Sequence, residues 1–193
     1  MSLLVPVILG SVRTERQGIK AAKFVIAKLR ERGHEPVLVD PMELDLPLLD
    51  RMYKEYPRGE APEKLERLAD LYRRADGFVV VSAEYNQSVP PALKNTLDYF
   101  LEEYFWRPST IVSYSAGRFG GVRAAIALRP ILAEMGMPSL PSILAIPSIG
   151  KSLGEDGAAT EDWIDRSAAK WLDEFEWYAT ALKAKREADG TPS

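Results

Sequence analysis

The sequence predicts one α/β domain in which helices cover both faces of a five-stranded parallel sheet. Apolar runs of strand length alternate with segments of helical period along almost the whole chain, which is the pattern of a doubly wound sheet. The composition does not change between the two halves, so one domain is expected. With 193 residues, 46% of them hydrophobic, the chain can bury one core of ordinary size. We place the domain at residues 1–185 and expect the polar tail at 186–193 to be disordered.

Five apolar runs have the composition of strands that are buried on both faces, as the strands of a parallel sheet are. They lie at residues 3–9, 37–39, 77–83, 110–114 and 143–146. Sheets of this class commonly have the spatial order 2-1-3-4-5, which places the second strand at an edge. Pro36 suits that edge, because proline cannot donate a ladder hydrogen bond. Pro6 suits the central first strand only if it stands at the beginning of the hydrogen-bonded stretch.

Segments in which apolar residues recur with helical spacing follow the strands. The first four lie near residues 19–29, 65–72, 93–101 and 122–135. The paired prolines Pro90 and Pro91 are expected to start the third of them, and Ser88 is its candidate N-cap. The last helix is expected to begin near Thr160, a second candidate N-cap. Its apolar face carries Ile164, Trp171, Phe175 and Leu182.

Charge and composition exclude several classes of function. The 25 basic and 28 acidic residues leave no basic field for nucleic acid or for a membrane surface. Neither a transmembrane run nor a signal peptide is visible, so we expect a cytoplasmic protein. Without cysteine, redox chemistry needs a bound cofactor, and with His34 as the only histidine no multi-histidine metal site is expected. His34 itself is interpreted as a surface or helix-terminal residue.

The loop at residues 10–18 has the features of a phosphate site. It joins the first strand to the N-terminus of the first helix, where free N–H groups and the helix dipole favour an anion. Ser11 adds a hydroxyl donor, and Arg13 adds a charged planar fork. The spacing matches neither the dinucleotide fingerprint nor the P-loop. The alternative is a Gly-Ser turn that is present for backbone reasons only.

The loops after the third and fourth strands are rich in polar residues and glycine. The first runs from Ser82 into the helix at 91–98, and the second, at 113–123, has three glycines in five positions. Ordinary capped or tight turns remain the alternative for both. These loops follow strands that are neighbours of the first strand in the expected order, so the three loops converge at the switch point of the sheet. The arrangement predicts a mononucleotide with a large planar head group.

At these residues the chain resembles the NADPH-dependent FMN reductase family, which includes quinone, azo-dye and chromate reductases on a flavodoxin-like fold. The resemblance covers residues 3–180, and three motifs carry it. They are G-S-x-R-x-x-R-x-G at 10–18, E-Y-N-x-S-x-P-x-x-L-K-N-x-L-D at 84–98 and S-A-G-x-x-G-G-x-R-A at 115–124. It implies a flavodoxin-like three-layer sandwich, FMN as cofactor, NADPH or NADH as co-substrate, and a homodimer or homotetramer.

The resemblance also assigns roles to residues. The FMN phosphate is expected to be held by Ser11, Arg13, Gln17, Gly18 and Ile19. The isoalloxazine is expected to be lined by Ala83, Glu84, Tyr85, Asn86 and Gln87, and approached by Ser115, Gly117 and Gly120. Arg118 and Phe119 are expected on the side of the nucleotide or substrate. No catalytic side chain and no metal are implied, because the flavin carries the chemistry. The family often has proline where this chain has Ala83.

The expected function is hydride transfer from NAD(P)H to flavin N5, followed by reduction of an acceptor such as a quinone, free flavin, azo compound or metal oxyanion. One alternative is a flavodoxin-type electron carrier without a substrate of its own, and another is a flavin-free binding protein. Two apolar features are candidate subunit interfaces. They are the segment 46–49 and the aromatic run of Tyr99, Phe100, Tyr104, Phe105 and Trp106, although Phe100 is as well suited to the core.

The phosphate site predicts that the protein binds FMN at least about 10-fold more tightly than riboflavin, because only FMN carries the phosphate and a hydrogen bond to a charged group contributes about 1.5 to 3 kcal/mol. Titration of the apoprotein with each flavin, followed by fluorescence quenching, measures both affinities. Equal affinities would show that the first loop does not bind a phosphate.

Overall fold

The computed structural model describes residues 1–192 and contains one sheet of five strands in the order β2-β1-β3-β4-β5. All four neighbouring pairs are parallel. The strands are β1 (Leu4–Leu9), β2 (Glu35–Val39), β3 (Phe78–Ala83), β4 (Ser109–Tyr114) and β5 (Ser139–Ile146). The predicted number, direction and order of the strands are therefore confirmed.

Helices cover both faces of this sheet and complete the three-layer sandwich. They are α1 (Gly18–Glu31), α2 (Pro41–Leu44), α3 (Glu63–Arg74), α4 (Pro91–Asp98), α5 (Val122–Glu134), α6 (Ile149–Ser152) and α7 (Asp162–Asp189). One apolar cluster packs α1 and α7 against the sheet, and a second packs α3, α4 and α5 against the other face. Within residues 1–192, every helix is too short or too polar to cross a membrane.

The two prolines in the sheet lie where the missing N–H does least harm. Pro36 is in β2, which is an edge strand. Pro6 is in the central strand β1 and is paired with Val37 of β2, but the register between β1 and β3 begins only at Val7. Pro6 thus precedes the stretch that is paired on both sides, so the proline does not interrupt a central ladder.

The C-terminal helix α7 differs from expectation at both ends. Glu161, rather than Thr160, is its N-cap residue, and the Thr160 hydroxyl instead donates to the carbonyls of Lys151 and Ser152. The helix continues to Asp189, so residues 186–189 are helical although we expected a disordered tail. Arg186 is held there by a hydrogen bond that it donates to the carbonyl of Trp106. Ser193 lies outside the described residues.

The buried carboxylate of Asp76 joins α7 to the start of β1. It accepts hydrogen bonds from the Leu4 N–H at 2.9 Å, from Lys183 Nζ at 2.9 Å and from Arg186 at 3.4 Å. Ile164, Trp171 and Phe175 form the buried face of α7 as predicted, and Leu182 is only partly buried. This carboxylate therefore explains why the helix extends beyond its apolar face.

His34 ends α1, as expected, but its side chain is buried rather than on the surface. Its N–H donates to the Leu29 carbonyl, and its Nε2 lies 3.0 Å from Oε1 of Glu176 on α7. Ser88 is likewise not the N-cap of α4, because Pro90 occupies that position.

The apolar segment after β2 packs against the protein's own α4. Asn95 holds it by accepting from the Leu49 N–H at 2.9 Å and donating to the Pro47 carbonyl at 2.8 Å. Within the aromatic run, Tyr99, Phe100 and Tyr104 are buried in the core, so these three rings are not available to a partner. Leu48 and Trp106 are the exposed large hydrophobic residues of the two candidate interfaces, with 83% and 43% of their surface open.

The contacts of Asp76 predict that Asp76→Ala destabilises the protein by about 1.5 to 3 kcal/mol, because one N–H and two partly buried cations lose their acceptor. Asp70→Ala is the matched control, since Asp70 pairs with Arg74 at 2.9 Å on the exposed face of α3. We expect the control to cost less than about 0.5 kcal/mol. Urea unfolding measures both, and equal effects would contradict this account.

Candidate functional site

A cavity of about 320 Å³ opens at the carboxyl ends of β1, β3 and β4. Its lining comes from the loops after these three strands and from α6. The lining residues are Ser11, Arg13, Thr14, Glu15, Arg16, Gln17, Ala83, Glu84, Tyr85, Tyr114, Ser115, Ala116 and Ile149. The predicted convergence of the three loops is therefore confirmed.

The first loop is held in place by Arg16. Its guanidinium forms a two-pronged ion pair with Asp40, the buried N-cap of α2, and also donates to the Ser11 carbonyl at 2.9 Å. The hydrogen bond with Asp40 raises the pKa of Arg16. Arg13 is exposed at the cavity and is not among the residues that fix the loop. The two arginines therefore have different roles: Arg16 shapes the loop, and Arg13 is available to a ligand.

The N-terminus of α1, which begins directly after the lining residue Gln17, has free backbone donors. Its N-cap residue, Gln17, makes no side-chain capping bond, and its first turn has no acidic residue. Among residues 1–192, no acceptor receives a hydrogen bond from the backbone N–H of Gln17, Gly18 or Ile19. Unpaired N–H groups and the positive end of the helix dipole together favour an anion at this point.

Tyr114 forms the floor of the cavity, at the end of β4. Burial raises its pKa to about 12, so the hydroxyl stays protonated near neutral pH. A Cβ atom on residue 18 would lie 2.1 Å from this hydroxyl oxygen, which explains the glycine at that position. Nearby, the Ser11 Oγ and the Tyr85 hydroxyl are 3.5 Å apart. These hydroxyl groups give the cavity donors next to the charged Arg13.

The loop after β3 is a tight two-residue turn. The N–H of Tyr85 donates to the Ser88 carbonyl at 2.9 Å, and the N–H of Ser88 donates back at 3.0 Å. Asn86 and Gln87 form the corner with φ of 49° and 68°, as a type I′ turn requires. Asparagine adopts a positive φ more easily than most residues, so Asn86 suits the corner of this turn. The turn in turn fixes the position of the Tyr85 ring.

Glu84 connects the loop after β3 to the helix after β4. Its carboxylate accepts from the backbone N–H of Arg123 at 3.1 Å and from the Arg123 guanidinium at 3.1 Å. The pair therefore caps the first turn of α5, where a negative charge is favoured. This side chain is 12% exposed. Its contacts give it a positioning role rather than that of a proton donor.

Glycines in the loop after β4 serve the turn into α5. Gly120 and Gly121 have φ of 62° and 76°. A Cβ atom on Gly121 would lie 2.6 Å from the Tyr114 carbonyl oxygen, so the turn is closely packed on the end of β4. Ser115 Oγ donates to the Gly117 carbonyl at 2.9 Å, which holds the start of the same loop. Ser115 itself remains at the cavity.

About half of the predicted binding residues line the cavity, and the others lie just beyond it. Those at the cavity are Ser11, Arg13, Gln17, Ala83, Glu84, Tyr85 and Ser115. Those outside its lining are Gly18, Ile19, Asn86, Gln87, Gly117, Gly120, Arg118 and Phe119. Their contacts with a flavin or nucleotide stay predictions. Asn86, Gln87 and Gly120 have a turn geometry that explains their residue type independently of any ligand.

Sequence reasoning missed several lining residues. From the sequence pattern, Tyr114 is predicted only as the end of a buried strand, and Arg16 only as a position of the first motif without a role of its own. Ile149 lies after β5, which is next to β4 in the sheet, so the strand order contained the signal that this loop reaches the site. The other missed lining residues are Thr14, Glu15 and Ala116.

The donor set fits FMN. Free N–H groups at α1, together with Arg13 and the Ser11 hydroxyl, match a phosphate, while the loops after β3 and β4 provide polar backbone and an aromatic ring for a flat head group. The cavity volume is within the range of small-molecule sites. Fold and site thus define a flavodoxin-like, mononucleotide-binding protein.

Comparison with known proteins assigns the family. Residues 3–151 match the model of NADPH-dependent FMN reductases, so the chain belongs to that family, which uses FMN and NAD(P)H. A quinone reductase from Pseudomonas putida is 33% identical over 178 residues, covering 89% of this chain and 91% of the relative. An NADPH azoreductase from Bacillus sp. is 28% identical over 134 residues, covering 69% and 73%.

Solved structures support the fold. FerB, a flavoenzyme NAD(P)H:(acceptor) oxidoreductase from Paracoccus denitrificans, superposes with a TM-score of 0.73 at 24% identity, covering 91% of this chain and 98% of that one. A flavodoxin variant from Pseudomonas aeruginosa has a TM-score of 0.53 at 20% identity, covering 93% and 98%. At these identities the two structures show a shared flavodoxin-like fold.

Because Arg13 and Arg16 have different roles, their substitutions are expected to affect different properties of the protein. Arg13→Ala is expected to weaken FMN binding by about 10- to 100-fold, with the stability of the apoprotein nearly unchanged, because one charged hydrogen-bond donor is lost. Arg16→Ala is expected to destabilise the apoprotein as well, because it leaves the buried Asp40 without its partner. Flavin titration and urea unfolding measure the two effects. A destabilised Arg13→Ala apoprotein with wild-type affinity would reverse the assignment.

Proposed function

We propose that the protein is an FMN-dependent oxidoreductase that takes a hydride from NAD(P)H and passes the electrons to a small-molecule acceptor. The observation that carries this proposal is the cavity, in which an anion-binding helix N-terminus and a two-loop platform lie at one sheet edge. When bound, FMN would supply the redox chemistry of hydride and electron transfer. The residues of the chain bind this cofactor and orient it.

Binding and orientation begin at the first loop. Arg13, the Ser11 hydroxyl and the N–H groups at the start of α1 bind the phosphate, and the Arg16–Asp40 pair keeps the loop in shape before the ligand arrives. A loop that is already ordered loses less conformational entropy on binding, which strengthens affinity.

The platform residues position the flat end of the ligand. Tyr85 presents its ring from the type I′ turn, and Tyr114 presents a neutral hydroxyl whose pKa is raised to about 12. Glu84 remains bound to Arg123 and therefore serves to fix the loop. No general base is assigned, since hydride transfer to a flavin does not require one from the protein at the moment of transfer.

A quinone is the acceptor that the relatives favour, because a relative that aligns over most of the chain is a quinone reductase. Free flavins, azo compounds and metal oxyanions are the other candidate acceptors. Steady-state oxidation of NADPH and NADH by the FMN-loaded protein, with and without a benzoquinone, tests the proposal.

The competing function is a flavodoxin-type electron carrier that has the same fold. Turnover of NAD(P)H that depends on added quinone supports the enzyme. FMN binding without any NAD(P)H oxidation, at nucleotide concentrations up to the millimolar range, would favour the carrier. The family match supports the enzyme, whereas the likeness to a flavodoxin extends to the fold alone.

We also infer a homo-oligomer, a dimer or a tetramer, in the cytoplasm. Leu48 and Trp106 are large apolar side chains that the protein's own core leaves exposed, which supports a subunit interface. Light scattering at micromolar concentration is expected to give at least twice the mass of the chain. A monomer would contradict the inference.

Glu84→Gln is expected to leave the rate of FMN reduction by NADPH within about tenfold of wild type, or roughly 1.4 kcal/mol of barrier, because the amide oxygen still accepts from Arg123. Tyr85→Ala instead weakens FMN retention or acceptor binding, since the ring contributes about 0.5 to 1.5 kcal/mol beyond its buried area. Stopped-flow absorbance of the FMN-loaded variants measures both. A thousandfold slower Glu84→Gln enzyme that retains FMN would assign Glu84 to proton transfer.

A further inference from the structure

Lys20 is a buried cation in the first turn of α1. Its side chain is only 6% exposed, and its Nζ lies 2.6 Å from Oε1 of Glu155. A cation is unfavourable at this end of a helix, because the helix dipole is positive there. A buried ammonium group also requires an anion beside it. Lys20 therefore needs a negative partner close to the helix end at which a phosphate is favoured.

Glu155, the partner of Lys20, lies on the loop between α6 and α7 and is almost fully hydrated, with 89% of its side chain exposed. The backbone of this loop is held by other contacts. Lys23 Nζ donates to the Glu155 carbonyl at 2.9 Å, and a Cβ atom on Gly157 would lie 2.7 Å from the Cβ of Lys23, so the loop is closely packed on α1. The Glu155 carboxylate can therefore leave Lys20 while the loop stays in place.

Lys20 also lies beside the candidate phosphate site. Residues 13–17 line both the flavin cavity and a second depression of about 660 Å³, to which Lys20 and Glu155 contribute. In a helix each Cα–Cβ bond is tilted toward the N-terminus, so the lysine side chain starts toward the end where the N–H groups of residues 17–19 are unpaired. The first loop thus separates the flavin cavity from the Lys20–Glu155 pair.

We propose that Lys20 is a further binding residue for the phosphate of FMN, and that Glu155 competes with this phosphate for Lys20. The proposal rests on the proposed function, because it takes the cavity as the FMN site. In the apoprotein Glu155 is the anion beside Lys20. The phosphate replaces it with charged acceptor oxygens, and the carboxylate returns to water. This competition lowers the affinity for FMN and makes the cofactor easier to exchange.

An ion pair that only stabilises the fold is the alternative, and the two interpretations predict opposite signs for Glu155. If the pair is structural, loss of either partner disturbs α1 and weakens FMN binding. If Glu155 competes with the phosphate, loss of Lys20 weakens FMN binding, whereas loss of the Glu155 carboxylate strengthens it. Riboflavin has no phosphate, so its affinity is expected to be insensitive to the competition.

Fluorescence titration of the apoprotein with FMN and with riboflavin tests the proposal. Lys20→Met keeps the apolar stem without the charge and is expected to weaken FMN binding about 10-fold, the effect of one lost charged hydrogen bond. Glu155→Gln is expected to tighten FMN binding about two- to fivefold, the scale of an exposed ion pair, with correspondingly slower FMN release. The affinity for riboflavin is expected to change less than about twofold in both variants.

The ion pair between Lys28 and Asp165 is the matched control. It joins α1 to α7 at 3.0 Å and lies further along the same helix, away from the first loop. Lys28→Met and Asp165→Asn remove the same kinds of charge as the two test variants. We expect both controls to bind FMN and riboflavin with wild-type affinity, because neither charge is near the phosphate.

Weaker FMN binding in both Lys20→Met and Glu155→Gln would make the pair purely structural and overturn the proposal. So would an unchanged FMN affinity in either variant, or an equal change for FMN and riboflavin. Urea unfolding of the apoproteins confirms that each variant is folded. A wild-type protein that binds FMN but oxidises neither NADPH nor NADH contradicts the proposed function instead. The flavin titrations still report on Lys20 in that case, so the two failures are distinguishable.

Discussion

The parallel pairing of β1, β3 and β4 is the constraint on which the site depends. Because neighbouring strands run in the same direction, the residues that follow Leu9, Ala83 and Tyr114 emerge at one edge of the sheet. The strands themselves are buried and apolar, so they fix the positions of these loops but contribute little chemistry. The loops are polar and supply the chemistry. The strand pairing alone thus brings loop residues that are far apart in the sequence next to one another, and no ligand is needed for this.

Internal ion pairs then decide which charges remain for a ligand. Asp40 binds Arg16, and Glu84 binds Arg123, so each pair fixes a loop and neutralises itself. Arg13 remains exposed at the cavity, and Arg118 remains exposed on the loop after β4. An anionic cofactor and an anionic co-substrate fit this distribution. The net charge of −3 does not indicate these local positive sites, because it sums over the whole chain.

Sequence patterns predicted the strand order and the three converging loops because these depend on local periodicity and on a general topological rule. They predicted Arg13 as a phosphate ligand but assigned no role to Arg16, since that role depends on Asp40, which lies 24 positions away. The end of α7 differs from the expected tail for a similar reason: Arg186 falls in the polar tail of the sequence, and only the structure shows that Asp76 accepts from it and from Lys183. Tyr114 was missed because a tyrosine that ends a buried strand has no sequence signature that separates a cavity floor from a core.

Amide spectra of the ¹⁵N-labelled apoprotein, recorded during titration with FMN, test the central account most directly. If the phosphate binds at the N-terminus of α1 and the head group at the two-loop platform, the largest shifts will occur at the amides of Gly18, Ile19, Tyr85 and Ser115. The α7 amides beyond Phe175 will stay unchanged. Shifts that cluster away from the carboxyl edge of the sheet, or no shifts at millimolar FMN, would contradict the assignment of this cavity as the flavin site.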